Sequence, residues 1–340
     1  MPDQIGALQG KFNLSYHIPY AAQAAKEVGL AGKRVIEVGG SLPVDFVKEH
    51  LGVKQWTAVE ELDYYRNTIG PQRNCAPLDY TFTKPLSDAT PKDLDNNEYL
   101  LLDGAVENSP TGLDGQFDVV FSIACFEHLS RMPLALLAMF RLLKPGGMVF
   151  SMFSPIWSSH DGHHIPTIID SAGQKFVFNK NSPISPWEHL LCTPSQLYQR
   201  LLRKTDSTAA EEIVYYTYHS PRLNRLFSED YLRYFAISPF KVCKVVPTFN
   251  FNPPKELQDE LERYHPGNKY FARVLSSLKR INMVKIFTII EKQVYKKVTH
   301  FGGQISKDFE VFLRRYPSPF RSGFERGQPQ DYAANLQSAA

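Results

Sequence analysis

Cysteine is scarce in this chain of 340 residues: Cys75, Cys125, Cys192 and Cys243 are the only four, and no two form a C-x-x-C pair. That scatter argues against a disulfide framework and against a thiolate zinc site, and it predicts reduced, mainly buried thiols. An excess of one charge is also lacking. Lys and Arg number 38 against 35 Asp and Glu, a net charge of +3, and no block of basic residues resembles a nucleic-acid arm. No uninterrupted apolar run approaches the ~20 residues of a membrane helix, and the first thirty residues hold no basic segment followed by an apolar core. The expectation is a cytoplasmic protein with neither nucleic acid nor a membrane as partner. No internal repeat is visible, and the length suits one enlarged α/β domain or two small ones.

What the chain does have begins at Arg34-Val35-Ile36-Glu37-Val38-Gly39-Gly40-Ser41-Leu42-Pro43. A short apolar strand runs through one acid into a glycine turn, and Ser41 and Pro43 suit the first turn of a following helix. Glu37 then stands near the strand's carboxyl end, where open α/β sheets bind ligands. A dinucleotide fits this turn poorly. The pyrophosphate fingerprint G-x-G-x-x-G needs two further glycines, and from Gly39 the chain reads Gly-Gly-Ser-Leu-Pro-Val. A ligand with a cationic amino-acid end, a ribose and no phosphate suits an acid beside a glycine turn better, and S-adenosylmethionine is such a ligand.

These residues resemble the first motif of the class I S-adenosylmethionine-dependent methyltransferases, in which a strand ends in acid-x-Gly-x-Gly-x-Gly. Glu37 and Gly39 match, while Ser41 and Pro43 replace the later glycines. Gln55 to Glu60 reads as a second strand ending in an acid where the family places the carboxylate for the ribose hydroxyls, so Glu60 is expected there, with Glu61 close behind. Phe117-Asp118-Val119-Val120-Phe121-Ser122-Ile123 followed by Glu127-His128-Leu129 looks like the family's fourth strand. Leu143-Lys144-Pro145-Gly146-Gly147, between a helix over 133–143 and a strand over 148–153, is its most recognisable phrase. The resemblance covers residues 34 to 153. It implies a Rossmann-like α/β sheet with helices on both faces, an antiparallel edge strand and S-adenosylmethionine as cofactor. Cofactor contacts are expected from Glu37, Gly39, Gly40, Glu60 and Asp103, the last being the nearest acid to the position that takes the adenine amino group; strict counting back from Pro110 falls on Ala105.

The remainder suggests how a substrate is covered. A helical cover over 1–32 precedes the cofactor-binding core at 33–155. A lid rich in aromatic residues, histidine and proline is expected over 156–235, late strands and helices over 236–316, and a flexible tail over 317–340. Among the late elements are strands over 240–246 and 284–290 that could form the family's antiparallel edge pair, with helical sequence over 255–278 between them. Asn252-Pro253-Pro254 lies too far downstream, and lacks the closing aromatic, to be the motif of amino-directed nucleic-acid methyltransferases; it reads as a turn.

Transfer to a hydroxyl needs positioning and removal of a proton. Ser158-Ser159-His160-Asp161-Gly162-His163-His164 supplies histidines just beyond the fifth strand, and His163 or His164 is the expected general base. Together with Trp187-Glu188-His189-Leu190 this stretch is similar to bacterial methyltransferases acting on surface glycans and small metabolites, which implies Trp157 and Trp187 as walls for a small-molecule or glycan acceptor. His128 reads instead as architectural. No metal site is assigned, since neighbouring His163 and His164 cannot easily aim at one ion and magnesium prefers oxygen ligands. The rival readings are a methyltransferase-like scaffold without activity and a nicotinamide-dependent dehydrogenase.

Overall fold

Buried parallel strands read as continuous apolar runs, and that is how this sheet is built. The structure, a computed structural model, describes residues 5–40, 42–62, 83–250, 255 and 283–293. Ser41, Cys75, the Asn252-Pro253-Pro254 turn, the expected helix over 255–278 apart from its first residue, and the tail lie outside those residues. Helices α1 (Ile5–Phe12) and α2 (His17–Glu27) come first, followed by β1 (Arg34–Val38), the short helix α3 (Val44–Phe46) running on as a π-turn over Val47–Leu51, and β2 (Gln55–Glu60). Next are β3 (Thr83–Pro85), α4 (Pro91–Asn96), β4 (Tyr99–Asp103), β5 (Phe117–Ile123), α5 (Met132–Leu142) and β6 (Leu143–Phe153). A mostly helical insertion then carries a two-stranded ribbon of β7 (Ile168–Ile169) and β8 (Lys175–Phe176). Its helices are α6 (Glu188–Leu191), α7 (Pro194–Leu201), α8 (Ser207–Tyr218) and α9 (Ser228–Ile237), and β9 (Lys241–Asn250) and β10 (Met283–Glu291) complete the sheet.

The eight strands lie in the order β3-β4-β2-β1-β5-β6-β10-β9. Every neighbouring pair from β3 to β6 is parallel, while β10 runs antiparallel to both β6 and β9. This is a Rossmann-like class I methyltransferase sheet. The expected edge pair is present with one refinement: β10 alone opposes the sheet, and β9 outside it returns to the common direction. A buried hydrogen bond of 2.6 Å between the Ser151 and Thr288 hydroxyls ties β6 to β10.

Alternating residues feed two cores, as a period of two requires. Ile36, Val120 and Val149 face α5 and α9, whereas Val35, Phe121 and Phe150 face α1, α2 and α3. Thus the N-terminal helices pack on one face of the sheet. The insertion has an apolar core of its own, with Ile165, Ile168, Leu197, Leu201, Ile213 and Val214. Its helices start where the sequence caps them: Thr193 and Gln196 form a capping box, and Asp206 accepts from the Ala209 amide.

Two boundaries shifted for local reasons. The glycine pair Gly146-Gly147 turns the chain inside β6, with Gly146 at φ +80° in the bulge between Leu143 and Met148, where the Gly146 amide donates to the Lys292 carbonyl at 2.7 Å and the Lys292 amide to Gly147 at 2.9 Å. Within the helical cover expected over 1–32 the last helix stops at Glu27, since Gly29 turns the chain with φ +69°. Among the described residues no helix is long and apolar enough to cross a membrane.

Candidate active site

The sheet has its switch point at β1, which pairs with β2 on one side and β5 on the other while the connections leave in opposite directions. Ligands bind in the crevice beyond the carboxyl ends of such strands. A cleft of about 310 Å³ opens there, lined by Gly39 after β1, Glu60 and Glu61 at the end of β2, Gly104 to Glu107 after β4, Ala124, Cys125 and His128 after β5, and Pro221 and Arg222 from the insertion.

Gly39 makes the floor. Its φ of +82° is a left-handed conformation, and a Cβ placed on it would stand 2.5 Å from the Cys125 Cβ. Backbone therefore passes so close to Cys125 at the edge of the cleft that no side chain fits on Gly39. Burial, the first cause, and the nearby carboxylates of Glu60 and Glu127 push the Cys125 thiol well above its ordinary value, so it is a packing group and no thiolate nucleophile.

Acids dominate one rim. Glu61 stands exposed on this rim, yet partial desolvation there, reinforced by the charges of Glu107 and Asp103, raises its carboxyl above the usual range, while Arg131 and Arg222 pull the other way. Glu107 is itself paired with Arg131 at 3.1 Å. Among the described residues no group of three or more His, Cys, Asp or Glu is arranged to hold a metal ion.

Of the five expected cofactor contacts, Gly39 and Glu60 line the cleft. The other three stand one layer back, each with a structural task. Glu37 is fully buried and accepts from the Trp56 indole at 2.9 Å. Gly40 packs on Ala58, whose Cβ would lie 2.8 Å from a Cβ added there. Asp103 accepts from the Leu62 amide at 3.1 Å and so shapes the segment that carries Glu61. Ala105, the position reached by strict counting, is in the lining together with Gly104 and Val106.

The expected bases are placed differently. His163 is 1% exposed, its Nε2 2.9 Å from the Ser182 hydroxyl, and it does not line the cleft. Burial, with His189, His164 and His160 nearby, holds it well below its ordinary value and therefore neutral. His164 also stands behind the lining, its ring 5.0 Å from the His128 ring and 4.4 Å from Phe178. Trp157 and Trp187 are no walls of the cleft: both are buried inside the insertion with Leu190, Leu223 and Phe227, and the Trp187 indole donates to the Ser158 carbonyl.

Sequence reasoning missed Pro221 and Arg222. Their segment reaches the cleft because it is fastened at both ends. The Asn224 amide donates to the Glu127 carbonyl at 3.0 Å, and the Asn224 side chain donates to Phe126 at 2.6 Å and Leu129 at 3.2 Å. Behind it, the buried Arg225 guanidinium donates to the carbonyls of Thr217, Leu223 and Tyr216. It also lies 5.9 Å from the centre of the Trp157 ring. Burial lowers Arg225 to about 10, still charged at neutral pH. Arg225→Met should strand those carbonyls and destabilise the insertion by about 3 kcal/mol, read as an earlier loss of Trp fluorescence on heating. An unchanged midpoint would show the carbonyls satisfied otherwise.

The Methyltransferase domain family matches residues 81–151, from just before β3 through most of β6. No curated protein matches the chain. Similar solved structures include the methyltransferase partner in a Haloferax volcanii complex with the Trm112 methyltransferase activator, at 11% identity over 86% of this chain and 95% of that one, TM-score 0.40. An S-adenosylmethionine-dependent methyltransferase from Mesorhizobium loti is 12% identical over 82% and 99%, TM-score 0.39. A geranyl diphosphate C-methyltransferase from Streptomyces coelicolor A3(2) is 11% identical over 81% and 80%, TM-score 0.38. The domain match, set within the observed strand order, supports a class I S-adenosylmethionine-dependent methyltransferase.

Proposed function

We propose that the chain transfers a methyl group from S-adenosylmethionine to a hydroxyl of a small molecule or glycan precursor, with a histidine as general base. The observation that carries this reading is the cleft at the switch point, where a left-handed glycine, Gly39, with no room for a Cβ beside Cys125, meets a strand-end carboxylate, Glu60. Those residues fit the cofactor. Glu60 suits ribose hydroxyls, and the acid-rich rim of Glu60, Glu61 and Glu107 suits a ligand with a cationic sulfonium and ammonium. When bound, the cofactor supplies an activated methyl group. The chain's part is to align the acceptor, exclude water beneath Pro221 and Arg222, and accept a proton.

Histidine is the suitable base because its ordinary value lies near working pH. His163, buried and held neutral, would have to leave Ser182 to serve, and His164 would have to act past His128. Among these histidines the cleft itself presents His128.

Calorimetric titration of the full chain with S-adenosylhomocysteine, with NADH as control, tests the cofactor. Saturable binding of S-adenosylhomocysteine alone is expected, and Glu60→Ala should weaken it by about 10- to 100-fold, the worth of charge-assisted hydrogen bonds. Binding of neither ligand by folded protein would favour a scaffold. Binding of NADH alone would favour the dehydrogenase.

A further inference from the structure

We infer that His128 is the general base that takes the acceptor's proton, and that the backbone carbonyl of Arg222 fixes its imidazole in the competent tautomer. This rests on the methyl-transfer reading above.

His128 closes the 3₁₀ turn Phe126–His128 directly after β5, and it lines the cleft with Gly39, Glu60 and Arg222. Its Nδ1 lies 2.8 Å from the Arg222 carbonyl oxygen. A carbonyl only accepts, so in the neutral ring Nδ1 carries the hydrogen and Nε2 carries the lone pair. A base whose second nitrogen is held by a fixed acceptor is the arrangement that general-base catalysis uses.

The clamp is rigid from both sides. Asn224, two residues beyond Arg222, is bonded to the carbonyls of Phe126, Glu127 and Leu129, and the Tyr231 hydroxyl donates to the Asn224 side-chain oxygen at 2.9 Å. The turn that carries the base and the insertion segment that orients it are therefore one unit, as a catalytic constellation demands. The titratable and charged groups that share the cleft with His128 are Glu60, Glu61, Glu107, Cys125 and Arg222, and the His164 ring centre is 5.0 Å from the His128 ring.

In the step itself the acceptor oxygen forms a bond to the methyl carbon. The carbon–sulfur bond breaks with its electron pair remaining on sulfur, which leaves neutral S-adenosylhomocysteine. The hydroxyl proton moves to Nε2 of His128 and later passes from the imidazolium to water.

The test reads the ring directly and needs no acceptor. The full chain is labelled with ¹⁵N-histidine and studied as complexes with S-adenosylhomocysteine, whose sulfur is neutral, and with sinefungin, which places an ammonium at the sulfonium position. His128 signals are assigned by comparison with His128→Gln, or by sequential assignment if that variant does not fold. The expected spectrum shows hydrogen on Nδ1, and the titration midpoint of His128 should lie about one pH unit lower with sinefungin, the size expected for a cation ~5 Å or more away at an intermediate effective dielectric. His163 and His164 should shift less. Hydrogen on Nε2, or equal midpoints in the two complexes, would overturn the assignment of His128 while leaving the methyltransferase reading intact. Failure of both ligands to bind the folded chain would remove that reading, and this proposal with it.

Discussion

Replacing Gly39 by alanine is expected to abolish saturable S-adenosylhomocysteine binding and to destabilise the chain by about 2–5 kcal/mol, the joint cost of a side chain in left-handed backbone and of overpacking. The reason is local. At φ +82° an L-residue is strained wherever there is space, and here there is none, because the new Cβ would stand 2.5 Å from the Cys125 Cβ and 2.6 Å from its Sγ. The backbone must then move at the point where β1 enters the cleft. Cys125→Ala should give no rescue in the double variant, since it keeps the nearest atom. Cys125→Gly should restore part of the stability, leaving only the conformational strain. Calorimetry with S-adenosylhomocysteine and thermal melts of the single and double variants read this. Undiminished binding by Gly39→Ala would show that the turn is not the cofactor floor.

Acid should disable the insertion before it unfolds the sheet. His189 is fully buried, its Nε2 2.9 Å from the Trp157 carbonyl, and desolvation lowers it from 6.5 to about 4. His163 is lowered in the same sense, again chiefly by burial. Both stay neutral in the folded state, so the unfolded chain binds more protons. Stability is therefore full above about pH 6.5, falls as pH drops towards about 4, and levels off below the folded values. For His189 alone the loss is on the order of 3 kcal/mol, and His163 adds to it. Charges nearby do not cancel this: Glu188 favours protonation of His189, whereas His160 opposes it. Trp157 and Trp187 report on the insertion, Trp56 on the sheet. Fluorescence-detected melts between pH 7.5 and 4.5 should show a steep fall in the midpoint, and His189→Gln, which keeps a donor for Trp157, should flatten it. An unaltered slope in that variant would mean another group governs the transition.

Much of the architecture was legible in the sequence because it follows from short-range rules. Apolar runs of five to seven residues made buried parallel strands, and Glu60 fell at the end of one of them, where a strand-end acid meets a ligand. Gly39 was legible for the same reason: only a glycine takes that backbone and leaves room. The bounds of α5 and β10 were met within a residue or so.

The histidines show where such reasoning stops. In sequence, His163 and His164 form the richest supply of bases, and His128 is a single residue in a turn. Distant packing decides between them: His163 is buried against Ser182 and His189, the His164 ring lies against Phe178 outside the lining, and His128 lines the cleft. Trp157 and Trp187 follow the same logic, their rings consumed by the insertion's own core. Glu37 and Asp103 lie on the right strands yet are turned to Trp56 and to the Leu62 amide, because pleat and strand twist, not spacing, decide which strand-end acid faces outward. Arg222 has no sequence signal at all, being carried to the cleft by Asn224 and Arg225 about a hundred residues after the turn it meets. The sequence by itself determined the strands and the glycine turn after β1, since these depend on neighbours a few residues apart. Only the tertiary structure decided which acids and which histidine face the cleft, since that depends on contacts between segments that the chain keeps far apart.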